Sequence, residues 1–318
     1  MIASVVESLA PDRVDRALKH LKDPRVRAGI LLHTHVRASL AGALRRRGFV
    51  EIPPVLVAPL TDPLNHPVED PRINYYGHSF QLTRSMIFHK QLALLAHPRV
   101  FCFSPNLRFE PRERRDTGRH LVEFTQLDLE VREARREEVM DLAERLLVDV
   151  VRRVQRQASS VLRELGRTLP SLDPPFSRVR WREAREREGP DFEMKLSRAS
   201  RQPFWIVDVP LLEREFYDRE DPQRPGILRD MDLIYPEGYG EALSGGEREF
   251  ELEAIRRRIE AKGQSTNDFR WYLEAAAAGL PPSAGFGIGI ERLVRWLGGF
   301  PDVAYATPFP KRIDDWSL

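Results

Sequence analysis

CFSPNLRFEPRERRDTGRHLVEFTQLDLEV, residues 102–131, reads as two strands joined by an arginine-rich connection. Successive side chains of a strand point to opposite faces, so Arg108 and Glu110 share one face while Leu107 and Phe109 take the other. The alternation returns in FTQLDLEV, with Phe124, Gln126, Asp128 and Glu130 on one side and Thr125, Leu127, Leu129 and Val131 opposite. Two such runs predict an antiparallel pair with charged and amide groups along one face. The pattern alone is equally that of a solvated sheet face; the chemistry of the side chains tilts the balance. Arg108 supplies a fork for a phosphate or carboxylate, Gln126 and Asp128 suit an ammonium group, and Phe124 can stack on a base. Arg112, Arg114, Arg115, Arg119 and His120 add positive charge in the connection, where a polyphosphate is attracted.

Two further stretches carry chemistry. In DMDLIYPEGYGEALSGGEREFE, residues 230–251, Asp232, Glu241 and Ser244 offer oxygen ligands of the kind Mg²⁺ takes alongside phosphate oxygens. Arg248 follows Glu241 by seven residues, an odd offset that separates their faces unless Gly245 and Gly246 introduce a bulge. AGFGIGIERLV, residues 284–294, places Gly285, Gly287 and Gly289 before a helix carrying Arg292. Close packing of strand and helix explains the glycines but not Arg292. The run departs from G-x-G-x-x-G because Ile290 stands at its last position, and no G-x-x-x-x-G-K-[ST] occurs, which disfavours a Rossmann or P-loop nucleotide site.

Around these stretches, Leu32, Val36, Leu40 and Leu44 predict a helix between Arg27 and Arg47 that ends at Gly48. FVEIPPVLVAP reads as extended and TDPLNHPVEDPRINYYG as a loop. Ser85 is placed to cap MIFHKQLALLAH. A long helix is expected from about Glu137 to Leu165, and others around Glu247–Lys262 and Trp271–Ala278. No repeat or linker divides the chain. The expectation is one domain over residues 1–318, with a short N-terminal arm at about residues 1–25 and a surface insertion at about residues 170–202.

Composition bounds the function. The 318 residues are 42% hydrophobic and 31% charged, enough for a globular core, and a net charge of +2 argues against a protein that coats nucleic acid. Six of the 50 basic residues are lysine, a bias that fits either genome composition or ion-pair networks. Cys102 is the single cysteine, excluding an intramolecular disulfide and a multi-cysteine metal site. Without a signal sequence or an apolar span, the expected compartment is the cytoplasm, with no membrane partner.

Taken together, GFVEIPPV, NLRFE, RHLVEFTQLDLE and GFGIGIERL resemble motifs 1, 2 and 3 of class II aminoacyl-tRNA synthetases of the aspartyl/asparaginyl subgroup, in order from about Arg27 to Pro310. LTRSMIFHKQLAL, PFWIVDVP and GYGEALSGGERE look most like the archaeal-type asparagine synthetases related to asparaginyl-tRNA synthetases. The resemblance implies an α+β fold, a central antiparallel sheet flanked by helices, and a homodimer formed partly through motif 1. It implies a cytoplasmic ligase that converts aspartate, ATP and ammonia to asparagine, AMP and pyrophosphate through a β-aspartyl-adenylate. With the motif 1 helix beginning near Arg27, no room is left for an anticodon-binding barrel of about 100 residues, and tRNA binding is not expected.

By the same resemblance, Arg108 and Arg292 are the catalytic pair, Arg108 meeting the α-phosphate and the reacting carboxylate. ATP would further meet Glu110 and Phe124 at the adenine, His120 and Arg292 at the outer phosphates, and Glu241 through Mg²⁺ held with Asp232 and Ser244. Ser85, Gln126 and Asp128 would take the α-ammonium, and Lys90 and Arg248 the carboxylate that does not react. Ile87 stands where tRNA-charging aspartyl enzymes carry glutamine, which loosens transfer of their α-carboxylate contact. Two rivals stand beside this reading. One is a ligase that passes the adenylated amino acid to tRNA or to a protein. The other is a non-catalytic module, which would be expected to lose Arg108, Glu241 or Arg292.

Overall fold

The computed structural model describes residues 11–316, so the first ten residues of the expected N-terminal arm lie outside the described part. Helix α1 (Pro11–Lys22) leads into α2 (Pro24–Arg46), which starts three residues earlier than the periodicity indicates. Pro24 fills its first turn and the Asp23 carboxylate accepts the Arg25 N–H at 2.8 Å. Strands β1 (Val50–Glu51) and β2 (Val57–Ala58) follow. The segment read as a loop contains a hairpin, β3 (Arg72–Tyr75) and β4 (His78–Leu82). Its two-residue turn puts Tyr76 at φ +46° and Gly77 at φ +78°, the left-handed pair that hairpins favour, here without the usual Asn-Gly signal.

Helix α3 (Ile87–Ala93) begins where Ser85 Oγ accepts the Ile87 N–H, and β5 (Arg99–Leu107) and β6 (Glu123–Arg132) form the expected antiparallel pair. The long helix is two, α4 (Arg136–Gln157) and α5 (Ser159–Glu164), because Ala158 at φ −119°, ψ 26° breaks the ladder. Residues 170–202 supply β7 (Arg178–Arg180), α6 (Trp181–Glu188) and α7 (Phe192–Ala199). Phe192 packs there against Phe204, Ile206 and Ile234. The chain continues through β8 (Phe204–Val207), β9 (Asp230–Tyr235), β10 (Gly240–Arg248), α8 (Leu252–Ala261), α9 (Arg270–Gly279), β11 (Ser283–Gly289) and α10 (Ile290–Gly298). Glu247 and Arg248, which the sequence assigns to a helix, thus end a strand.

Eight strands among the described residues form one sheet in the order β1-β5-β6-β11-β10-β9-β8-β7, antiparallel except at its two edges. One face is apolar. Leu127 and Leu129, Phe286 and Ile288, Met231 and Leu233, and Trp205 pack there under α2, α4 and α10. Trp296 stacks on Tyr235 with ring centroids 4.7 Å apart. Burying side chains of this size contributes about 1.5–3 kcal/mol each and fixes the register, since a one-residue slip would turn the charged row of β6 into that core. A second cluster, including Phe88, Phe216, Ile259 and Tyr272, seats α3 against α8 and α9. No helix among the described residues is long and apolar enough to cross a membrane.

The opposite face holds the polar row, and β11 makes space for it. Gly285, Gly287 and Gly289 lie beside Glu130, Asp128 and Gln126 in the register. A Cβ on Gly285 would sit 2.2 Å from Glu130 Oε2 and 2.2 Å from the Leu129 carbonyl, whereas one on Gly287 would come no nearer than 3.0 Å, to Gln126 Nε2. Gly285→Ala should therefore lower the unfolding free energy by about 2–4 kcal/mol and Gly287→Ala by clearly less, as read from urea denaturation midpoints. Equal midpoints for the two variants would contradict this packing.

Candidate active site

The polar face opens into a cavity of about 530 Å³. Of the residues singled out in the sequence, Ser85, Lys90, Arg108, Glu110, His120, Gln126, Asp232, Glu241, Ser244, Arg248 and Arg292 line it. Phe124 lines a small pocket beside it, shared with Arg108, His120 and Arg292. Asp128 lies beneath, its Oδ1 accepting from Lys90 Nζ at 3.0 Å. The face alternation that predicts these neighbours on β6 is present. The bulge that brings Glu241 onto the face of Ser244 and Arg248 falls elsewhere than expected, between Glu241 and Leu243 rather than at Gly245–Gly246. Gly245 instead meets β11, where a Cβ would lie 2.2 Å from the Gly285 carbonyl oxygen.

At one end of the cavity is a buried ionic cluster. Lys90 donates to Asp128 and to the Phe286 carbonyl at 3.3 Å, and lies 3.5 Å from Glu130 Oε2. Arg248 donates through Nε to Glu130 Oε1 at 3.2 Å, through Nη1 to Asp218 Oδ1 at 2.8 Å and through Nη2 to the Gly285 carbonyl at 2.8 Å. Burial alone would weaken the Arg248 cation, but Glu130 and Asp218 outweigh it and raise its pKa. Asp128 Oδ2 is buried and accepts no hydrogen bond, an acceptor suited to a donor on a bound molecule. Helix α3, which carries Lys90, is pinned by Tyr272 Oη donating to Gln91 at 2.7 Å and by Gln91 Nε2 donating to the Glu249 carbonyl at 3.1 Å.

At the other end the charges are mixed. Arg108 lies 5.2 Å from the Phe124 ring centroid and donates to the Arg84 carbonyl at 3.1 Å. Arg292 donates to Glu241 at 3.1 Å and to the Arg119 carbonyl at 3.2 Å. Burial opposes ionisation of Glu241, but Arg292, Arg119 and Arg214 together hold its carboxyl down at about 2. Glu110 accepts from Arg114 at 3.0 Å and lies 3.0 Å from His66 Nε2. His120 differs from the expectation of a positive group. Burial, with Arg292 and Arg119 beside it, pushes its pKa down to about 3, so the ring is neutral near pH 7.

The residues fit a divalent cation that shares phosphate oxygens. Asp232 Oδ1 is buried without a partner while Oδ2 is held by Arg214, and Ser244 is the register partner of Asp232 on β10. No three His, Cys, Asp or Glu side chains among the described residues converge to hold a metal by themselves, in keeping with the few protein ligands Mg²⁺ uses. Sequence reasoning missed Glu193, Arg214 and Asp218, and gave Glu130 a place on the face but no role in the site. Glu193 on α7 lines the same cavity, its pKa pushed up to about 7 by burial and by the charges of Asp232 and Glu241. Nothing in DFEMK separates it from a surface glutamate. Glu130, by contrast, sits in the alternation that marks Gln126 and Asp128, and that signal sufficed to place it on the face.

Sheet, polar face and cavity are those of a class II aminoacyl-tRNA synthetase catalytic core. The chain belongs to that family: the model for tRNA synthetases class II (D, K and N) matches residues 12–313. It is 33% identical over 255 residues to an asparagine–tRNA ligase of Symbiobacterium thermophilum, covering 73% of this chain and 58% of the relative. It is 29% identical over 309 residues to that of Pyrococcus abyssi, covering 92% and 70%. The chain thus spans less than two thirds of the length of several curated relatives. The structure of Pyrococcus horikoshii asparaginyl-tRNA synthetase complexed with asparaginyl-adenylate superposes with a TM-score of 0.87 at 26% identity, covering 95% of this chain and 73% of that one. The Entamoeba histolytica asparaginyl-tRNA synthetase adenylate complex, at 20% identity and a TM-score of 0.84 over 98% of this chain and 73% of that one, shares the fold.

These relatives correct two expectations. Synthesis of asparagine from aspartate and ammonia, and the argument against tRNA binding, both give way to relatives named for joining asparagine to tRNA. The physical reason is that the motifs report adenylation, a step common to both reactions, and that an anticodon barrel bears on one end of tRNA, whereas transfer occurs at the other.

With His120 at about 3 in the folded protein against 6.5 when exposed, the unfolded chain binds a proton that the native state refuses, so this group lowers stability as pH falls from about 6.5 toward 3. Histidine ¹⁵N NMR of the free protein should find His120 neutral throughout pH 5–8. A midpoint near 6.5 would show that Arg119 and Arg292 do not crowd it.

Proposed function

We propose that the chain adenylates asparagine with ATP and transfers the asparaginyl group to the 3′ end of tRNA. The observation that carries this reading is the convergence of Arg108, Arg292, Glu241, Gln126 and the Lys90–Arg248 cluster on one cavity, with the buried Lys90–Arg248 cluster at one end and Arg108, Arg292 and Glu241 at the other. The likeness to asparagine–tRNA ligases, and to a structure holding asparaginyl-adenylate, supports asparagine as the amino acid.

In the first step an α-carboxylate oxygen attacks the α-phosphorus, the bond to the bridging oxygen breaks, and pyrophosphate leaves. Both partners are anionic, so Arg108 between them offsets repulsion as charge builds in the transition state. Arg292 faces the leaving phosphates, with neutral His120 as a hydrogen-bonding group rather than a charge. Phe124 offers a ring face to adenine and Glu110 an acceptor for its amino group. Asp232, Glu241 and Ser244 would hold Mg²⁺, which supplies positive charge to the phosphates when bound. Asp128 Oδ2, with Gln126 and Ser85, receives the α-ammonium, and Lys90 and Arg248 stand at the side-chain end. In the second step a ribose hydroxyl of the tRNA attacks the carbonyl carbon and AMP leaves. No protein nucleophile is needed, and the chain contributes position and electrostatics.

Asparagine-dependent exchange of labelled pyrophosphate into ATP, followed by acid-precipitable asparaginyl-tRNA with added tRNA, tests the proposal. Exchange without tRNA and product with it are expected; absence of exchange with asparagine overturns the reading. Arg108→Ala or Arg292→Ala should each slow exchange by about 10²–10³ while the protein remains folded. A folded Arg108→Ala variant exchanging at the wild-type rate would remove the role given to that residue.

A further inference from the structure

Asp218 is a carboxylate placed inside the amino-acid end of the cavity by the fold. It lies outside the regular strands, yet an isolated antiparallel bridge pairs it with Arg248, and Arg258 grips its carbonyl and that of Glu215. Tyr217 beside it donates to Asp62 at 2.9 Å. Asp218 is 6% exposed, lines the cavity with Arg248, Lys90 and Ser85, and takes the Arg248 Nη1 hydrogen bond at 2.8 Å. Resting on the proposed adenylation of asparagine, we infer that Asp218 is the residue that selects a side-chain amide over a side-chain carboxylate.

The argument is one of charge and of hydrogen-bond complementarity. Lys90 and Arg248 already face three carboxylates, Asp128, Glu130 and Asp218, while Arg258 is spent on the Asp218 and Glu215 carbonyls and Arg214 on Asp230 and Asp232. Lys90 is committed to Asp128 and the Phe286 carbonyl, and Arg248 has given three of its five N–H groups to Glu130, Asp218 and Gly285. An aspartate side chain would bring a further negative charge beside Asp218, where the two carboxylates would repel and compete for the Arg248 guanidinium. An asparagine side chain adds no charge. Its carbonyl oxygen can accept a remaining Arg248 N–H while its amide nitrogen donates to the Asp218 carboxylate, so both ends of the amide are satisfied. A site built to accept an N–H rejects an analogue that cannot donate one far more strongly than an apolar pocket rejects a change of shape.

The test is pyrophosphate exchange with asparagine, aspartate and aspartate β-methyl ester, run on the wild-type protein and on Asp218→Asn, which keeps the shape and an acceptor for Arg248. In the wild type, kcat/KM should favour asparagine over aspartate by at least about 100-fold, and the ester, which keeps the carbonyl but has no N–H, should also exchange poorly. In Asp218→Asn the asparagine-to-aspartate ratio should fall at least about tenfold. An unchanged ratio in a folded variant overturns the inference. Should the variant fail to unfold cooperatively, the wild-type ester decides: exchange equal to asparagine overturns it. A wild type that favours aspartate overturns it too while leaving adenylation standing, whereas no exchange with any of the three removes the proposed function itself.

Discussion

Glu130, a carboxylate with no exposed surface in the middle of the sheet, sets the terms for what surrounds it. A charge taken so far from water is sustained only by close partners of opposite sign and by hydrogen bonds that fill its remaining lone pairs. Arg248, Lys90 and Ser283 Oγ, the last at 3.0 Å, meet that demand from three different elements. The requirement spreads outward. Room for the carboxylate excludes a side chain at Gly285, the approach of β11 excludes one at Gly245, and Lys90 reaches the cluster only because α3 is seated by the aromatic cluster of Phe88, Phe216 and Tyr272. The glycines of AGFGIG are thus the complement of the charged row on β6, and the two sequence signals are one structural fact seen from adjacent strands.

The same arrangement explains what was legible in the sequence. Period-two alternation on β6 placed Phe124, Gln126, Asp128 and Glu130 together because one face of the sheet is apolar and tolerates no slip. The helix of α2 was legible from its apolar spacing for the same reason. The hairpin of β3 and β4 was not, since its strands are largely exposed and no apolar alternation marks them. Nor was the position of the bulge on β10, which follows Ala242 and Leu243 both entering the core rather than the glycine pair that attracts notice. Glu193, Arg214 and Asp218 come from segments whose local sequence resembles any charged surface, and only tertiary packing turns them inward.

Adenylation and its product are legible to different degrees for a physical reason. Attack on an α-phosphate demands fixed cations and an adenine seat whatever follows, so the residues serving it recur as motifs. The fate of the adenylate depends on which molecule reaches the carbonyl, and that is a matter of surface and access rather than of motif. The identity of the amino acid lies between these, decided by the balance of a few buried charges. Here Lys90 and Arg248 suggest a carboxylate when read alone, whereas in the fold they already face Asp128, Glu130 and Asp218.

The account stands on the division of the cavity into an amino-acid end at Arg248 and a nucleotide end at Arg292. A crystal structure with a non-hydrolysable asparaginyl-adenylate mimic tests it most directly. The side-chain amide should lie between Arg248 and Asp218, the α-ammonium at Asp128 Oδ2 and the adenine against Phe124. An α-carboxyl group seated at Arg248, or an amide pointing toward Arg292, would contradict it.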